Sequence, residues 1–183
     1  MPKTKIYKIL DLFAGAGGMT LGFHQAGFES IMAVDFDKDS CETYKRNFKN
    51  SHVVCGDIRK LDNKTILKLT GGKVDVIIGG PPCQGFSALG KQLKDDPRNQ
   101  LWREYLRIVT LLKPKVWVIE NVPELLKSQE FAEVRKVTEK LGYHIKQDVL
   151  NAADYGVPQR RHRAIVLAAR IENGLRHPIP THT

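Results

Sequence analysis

Two segments, Val74–Ile78 (Val-Asp-Val-Ile-Ile) and Val116–Ile119 (Val-Trp-Val-Ile), run apolar almost without interruption. A strand with one face in water alternates polar and apolar residues. Runs like these are buried on both faces, which places them inside a parallel sheet covered by helices. The neighbouring segments agree. Ile6–Phe13 is strand-like and ends in glycines, and a short helix follows to about Ala26, stopped by Gly27. Ser30–Val34 and His52–Val54 read as strands, Lys38–Phe48 and Asp62–Leu69 as helices. Asp96-Pro97 is a helix start, and Leu101, Tyr105, Ile108 and Leu112 recur behind it at helical spacing, marking a buried face. A further helix is expected from Gln129 to Leu141, and His144–Leu150 and Ala164–Ala169 are expected to pair antiparallel. The fold class is α/β: a doubly wound, mostly parallel sheet with a late antiparallel strand, forming one domain over residues 1–183.

Composition narrows the setting. No run of about 18 apolar residues offers a membrane span, and the Met-Pro-Lys-Thr-Lys start lacks a signal-peptide core, so a cytoplasmic protein is expected. Cys41, Cys55 and Cys83 form no C-x-x-C pair, which argues against a disulfide framework or a metal site. Lys and Arg outnumber Asp and Glu by 29 to 20, a net charge of +9 that favours a polyanionic partner. The excess gathers at Lys91, Lys94, Arg98 and Arg103, and again at Arg160, Arg161 and Arg163.

Four short segments carry chemistry. In Asp11-Leu-Phe-Ala-Gly-Ala-Gly-Gly18, glycines stand where the first strand turns into the first helix, so backbone N–H groups can approach a ligand. The spacing is not the dinucleotide G-x-G-x-x-G, because Thr20 holds the third position. Asp35 ends the second strand, where a carboxylate can accept from ribose hydroxyls. Phe36 beside it can stack on an adenine, and Asp57 with Ile58 can hold the adenine's amino edge and face.

In Gly80-Pro-Pro-Cys-Gln-Gly-Phe-Ser87, Pro81 and Pro82 stiffen the exit of the fourth strand, and Cys83 opens a polar loop. A thiol there is poorly placed for a core, and nearby cations favour its thiolate. Cys41 and Cys55, by contrast, read as small apolar core residues. In Glu120-Asn-Val122, a carboxylate ends a buried strand and needs a partner or a purpose. In Gln159-Arg-Arg-His-Arg163, Arg161 and Arg163 alternate at a strand entrance and so share one side, where paired guanidinium groups can grip an oxygen anion or a carbonyl.

In order, these four segments resemble the cofactor, nucleophile, carboxylate and arginine motifs of the C5-cytosine DNA methyltransferases, and the resemblance covers Ile9 to about Thr181. It implies S-adenosylmethionine as cofactor. Phe13, Ala14, Gly15 and Gly17 would line its methionine side, Asp35, Phe36, Asp57 and Ile58 its nucleoside, and Pro82 and Leu101 would complete the pocket. It implies that Cys83 adds to C6 of a cytosine flipped out of duplex DNA, that Glu120 contacts N3 and the 4-amino group, and that Arg161 and Arg163 hold O2 or a flanking phosphate. Gln84, Ser87, Lys91 and Arg98 would contact the DNA.

In that family a target-recognition domain and a last cofactor-binding helix follow. The chain is accordingly expected to be the catalytic part, in a restriction-modification setting and nucleoid-associated on DNA: either one subunit of a naturally split enzyme, with a second polypeptide supplying recognition, or a truncated gene or fragment. Two other readings share the motifs: a tRNA cytosine C5-methyltransferase, and a non-catalytic cofactor- or DNA-binding accessory subunit.

Overall fold

The glycine-rich turn sits where it does because of the strand before it. In the computed structural model, which describes residues 5–82, 101–171 and 174–182, β1 (Lys8–Leu12) is buried along all but its first residue. Such burial requires neighbours on both edges and both faces. β2 (Glu29–Asp35) pairs with it in parallel, with Asp11 opposite Ala33, and β4 (Val76–Gly79) pairs on the other edge, with Asp11 opposite Ile78. β3 (His52–Cys55) extends the sheet beyond β2, with Cys55 opposite Asp35. The chain winds outward through β2 and β3 and then returns to β4, so a switch point falls beside β1, where open α/β sheets bind ligands.

Contacts divide the chain into two compact units, residues 1–80 with 107–117, and residues 81–106 with 118–183. In the first unit, α1 (Gly18–Gln25), α2 (Lys38–Asn47) and α3 (Asn63–Thr70) cover the strands. Local chemistry sets their ends. Asp37 accepts from the Ser40 N–H and Asp62 from the Thr65 N–H, both as N-caps, and Gly71 closes α3 in the left-handed region. Ile9, Leu10, Leu12, Ile66, Ile77, Ile78 and Tyr44 are fully buried and make the core of this unit.

α4 (Leu101–Leu112) and β5 (Val116–Asn121) each contribute residues to both units. Tyr105, Ile108 and Leu112 are buried as their spacing predicts, together with Leu106 and Val109. The proposed start at Asp96-Pro97 lies outside the described residues. In the second unit, α5 (Gln129–Lys140) is capped by Ser128, whose hydroxyl accepts from the Phe131 N–H. β6 (His144–Asn151) and β7 (His162–Ala169) pair antiparallel over eight residues each, from His144–Ala169 to Asn151–His162. The strand order is β3-β2-β1-β4-β5-β7-β6, the doubly wound sheet with a late antiparallel strand. Among the described residues no helix is long and apolar enough to cross a membrane.

Candidate functional site

In the first unit, the turn after β1 uses left-handed backbone three times, at Phe13 (φ 59°), Gly15 (φ 54°) and Gly17 (φ 94°). Gly17 has a second reason to be glycine. A Cβ there would lie 2.5 Å from the Phe48 ring and 2.9 Å from that of Tyr44. At Gly15 a Cβ would meet nothing within 4 Å, so space is left open above that residue.

Asp35 holds this turn in place. Its Oδ2 accepts from the Gly15 N–H at 2.7 Å and its Oδ1 from the Asp37 N–H at 2.9 Å, while Ala14 N–H donates to the Val34 carbonyl at 3.1 Å. A carboxylate has about four lone-pair positions, so two remain for hydroxyl donors. Phe36 next to it is 76% exposed. An open glycine turn, a half-used carboxylate and a bare aromatic ring together suit a nucleoside with a ribose diol. Asp35→Ala is expected to weaken S-adenosylmethionine binding by about 1–3 kcal/mol, the usual cost of a lost charge-assisted hydrogen bond. Unchanged affinity by calorimetry would remove the ribose from this carboxylate.

Asp57 and Ile58 follow β3. Arg59 occupies both Asp57 oxygens, through Nε at 2.9 and 3.0 Å and Nη2 at 2.6 Å, and holds that carboxyl below the ordinary carboxylate range. Ile58 is 4% exposed. This turn has an anchor that sequence reasoning missed. Arg107, on α4, donates to the Leu61 carbonyl at 2.9 Å, to the Ile58 carbonyl at 3.5 Å and to the Asn63 side-chain oxygen. Nothing local marks it, because its partners lie more than 40 residues away in sequence.

Asp11 was also missed. It stands in β1 at 1% exposure, and Thr20 Oγ1 donates to it at 2.7 Å. Burial pushes its carboxyl up to about 7, with the Thr20 hydrogen bond opposing and the Asp35 charge adding. A folded-state value above the unfolded one means the folded protein binds the extra proton. Stability from this group is therefore complete below about pH 4 and is lost as pH rises towards 7. Between about pH 5.5 and 8 the chain should lose roughly 2 kcal/mol relative to Asp11→Asn, read by urea unfolding of both proteins. Parallel pH curves would contradict it. The available signal was an aspartate inside an otherwise apolar strand.

In the second unit, Glu120 lies one residue before the end of β5. Arg163 Nε stands 3.1 Å and Arg161 Nη2 3.7 Å from its Oε1, so the two arginines expected on one side do converge on the carboxylate. Backbone geometry fixes them. The Arg161 N–H donates to Asn151 Oδ1 at 3.1 Å, the Arg161 carbonyl accepts from Ala152 N–H at 2.9 Å, and Leu150 pairs with Arg163 across the ladder. Glu120 and Arg163 are 28% and 27% exposed, Arg161 46%, so the cluster is sheltered yet reachable.

The next residue, Asn121, is a third missed position. It is 7% exposed, and its Nδ2 donates to the Pro81 carbonyl at 2.8 Å, pinning the segment that leads to Cys83. Pro82 and Leu101 are both half-buried in this unit. Cys83, Gln84, Ser87, Lys91, Lys94 and Arg98 lie outside the described residues. Arg103 lies 3.7 Å from Glu133. One expectation is corrected: Cys41 is buried, but Cys55 is exposed, because it ends β3 at the rim of the sheet.

A family model for C-5 cytosine-specific DNA methylases matches residues 7–182. The Type II methyltransferase M1.HphI of Haemophilus parahaemolyticus is 44% identical over 181 residues, covering 95% of this chain and 49% of that protein. The Type II methyltransferase M.AquIA of Picosynechococcus is 38% identical over 190 residues, covering 96% of this chain and 77% of that one. A crystal structure of a DNMT2 variant from Spodoptera frugiperda superposes with a TM-score of 0.74 at 29% identity, over 97% of this chain and 53% of that one. The chain thus spans about half the length of M1.HphI and of the DNMT2 structure. With the four motifs, the glycine turn and the carboxylate–arginine cluster in place, the chain belongs to the C-5 cytosine-specific DNA methylase family.

Proposed function

We propose that this chain is the catalytic part of an enzyme that methylates C5 of cytosine in DNA, in a restriction-modification setting. The observation that carries this reading is the half-buried Glu120 carboxylate gripped by Arg163 at 3.1 Å and Arg161 at 3.7 Å. It directly precedes the asparagine that anchors the Pro-Pro-Cys segment. S-adenosylmethionine, the family's methyl donor, supplies an electrophilic methyl group when bound.

The chain's own residues do the rest. Cytosine C5 is a poor nucleophile, so the Cys83 thiolate adds to C6, forming an S–C bond and moving electron density onto C5, N3 and O2. Glu120 contacts N3 and the 4-amino group and stabilises the charge that develops there, while Arg161 and Arg163 hold O2 or a flanking phosphate. After methylation the C5 proton leaves and the thiolate departs from C6, restoring the ring. The base must first swing out of the helix, because C6 and N3 are unreachable in the stack. Gln84, Ser87, Lys91 and Arg98 contact the DNA beside it. Phe13, Ala14, Gly15, Gly17, Asp35 and Phe36 hold the cofactor.

Target recognition comes from a segment beyond these residues, carried by a second polypeptide. These residues span 49% of M1.HphI and 77% of M.AquIA, so both relatives carry residues outside the matched part. Alone, the chain then offers salt-sensitive, sequence-indifferent affinity for DNA and negligible methylation. Tritiated methyl incorporation tests this. Activity should appear on adding a polypeptide with the recognition domain and final cofactor helix. Robust site-specific methylation by the chain alone would overturn the two-part reading, and transfer to RNA but not to DNA oligomers would overturn the DNA reading.

A further inference from the structure

Beneath the glycine turn runs a line of hydroxyl groups that the proposed chemistry does not use. Thr20 Oγ1 lies 2.7 Å from Asp11 Oδ2 and 2.8 Å from the Tyr44 hydroxyl. Tyr44 lies 2.8 Å from Ser30 Oγ, which is 2.9 Å from Ser51 Oγ. Each hydroxyl owns one proton, so an ionised Asp11 forces the direction of every bond. Thr20 donates to Asp11, hence Tyr44 donates to Thr20, Ser30 to Tyr44 and Ser51 to Ser30. When Asp11 is protonated the whole file can reverse. The far end, Ser30 and Ser51, lines an open surface depression of about 330 Å³, along with His24, Asn47 and Lys49. A fully buried carboxyl thus has a continuous path for exchanging its proton with water.

The near end bears on the cofactor turn. Asp11 is two residues before Phe13, and its bond to Thr20 ties β1 to the first turn of α1 across the base of the glycine turn. The titratable groups that face it are Tyr44 from α2 and Asp35 from the end of β2. Its strand partners Ala33 and Ile78 carry no charge, and among the described residues no cation stands among the groups that perturb it. An uncompensated charge in a low-dielectric interior is felt over a long range. Burial places its ionisation near neutrality.

Given that the turn holds S-adenosylmethionine, we propose that Asp11 is a charge-selecting residue of this site, favouring the cationic sulfonium donor over the uncharged thioether product. Thr20, Tyr44, Ser30 and Ser51 serve it as the proton path. The two ligands differ by one methyl group and one positive charge, so an anion under the turn discriminates between them where packing barely can. Protonating Asp11 removes the discrimination.

The test is calorimetric titration of the chain with S-adenosylmethionine and with S-adenosylhomocysteine from about pH 6 to 8.5, repeated for Asp11→Asn. Carbon-detected NMR of the Asp11 carboxyl accompanies it. In the parent, the preference for the sulfonium ligand should grow about three- to tenfold across this range, tracking the carboxyl signal. In Asp11→Asn it should stay flat. A purely structural role would move both affinities together and leave their ratio constant. A constant ratio in the parent, an equal pH trend in Asp11→Asn, or a carboxyl signal that does not titrate between about pH 5 and 9 overturns the proposal while leaving the cofactor reading intact. Failure of either ligand to bind at any pH, with the polypeptide carrying the final cofactor helix also present, overturns both. If Asp11→Asn does not fold, the parent's ratio and its carboxyl titration still decide.

Discussion

Cys83→Ser should reduce methyl transfer by about three orders of magnitude or more, as expected when a covalent nucleophile is removed. The assay uses the enzyme, with any required partner chain present, and a duplex carrying 5-fluorocytosine at the target. In the parent, fluorine at C5 cannot leave as a proton does, so the Cys83–C6 adduct accumulates and survives denaturing electrophoresis. In Cys83→Ser no adduct should form. The other two thiols make good controls for different reasons. Cys41 is buried, and burial with Cys55 beside it pushes its thiol up to about 12, leaving almost no thiolate at neutral pH. Cys55 is exposed, so it is the thiol most able to react adventitiously. Adducts should persist in Cys41→Ser and Cys55→Ser. An adduct that survives loss of Cys83 and disappears with Cys55 would end the proposed mechanism.

Glu120→Gln should lower single-turnover methyl transfer by about 10²–10⁴-fold, the range for a positioned acid–base group. The amide keeps the shape of the side chain but cannot bear the charge or deliver a proton at N3. DNA affinity should not fall with it. In the parent, Arg163 and Arg161 lie 3.1 and 3.7 Å from the carboxylate and are partly neutralised by it. Without that charge they are freer to meet phosphate, so binding should hold or strengthen and depend more steeply on salt. A rate within a few-fold of the parent would reduce Glu120 to an anchor for the two arginines. A parallel collapse of rate and DNA binding would mean that the pair is structural.

The two variants probe features of different legibility. Cys83 was conspicuous because a thiol after two prolines in a polar loop is chemically out of place. Arg161 and Arg163 were paired by the period of a strand alone, and both reach Glu120. The elements followed from local rules in the same way: apolar runs became β4 and β5, and Tyr105, Ile108 and Leu112 became the buried face of α4, with Leu101 half-buried. Periodicity, glycine conformation and strand alternation act over a few residues, so a sequence displays them directly.

Other features needed the folded chain, because their partners are distant. Nothing near Asn121 announces that it holds the Pro81 carbonyl 40 positions away, and Arg107 reaches 46 positions back to Leu61. Cys55 seemed a core residue by type, but its place at the end of β3 left it exposed. Asp35 reads in the sequence as a strand-end carboxylate, yet only the parallel pairing of β1 and β2 brings it to the Gly15 N–H. Asp11 is the sharpest case. Its residue type suggests surface, but burial between β2 and β4 raises its carboxyl, the Thr20 hydrogen bond from α1 opposes that, and the Asp35 charge from the end of β2 adds to it. The sequence by itself determined the elements and the side of the strand from which Arg161 and Arg163 project. Tertiary structure decided which charges are buried, which are paired and which can move, because electrostatic energy depends on distance and dielectric in space, not on separation along the chain.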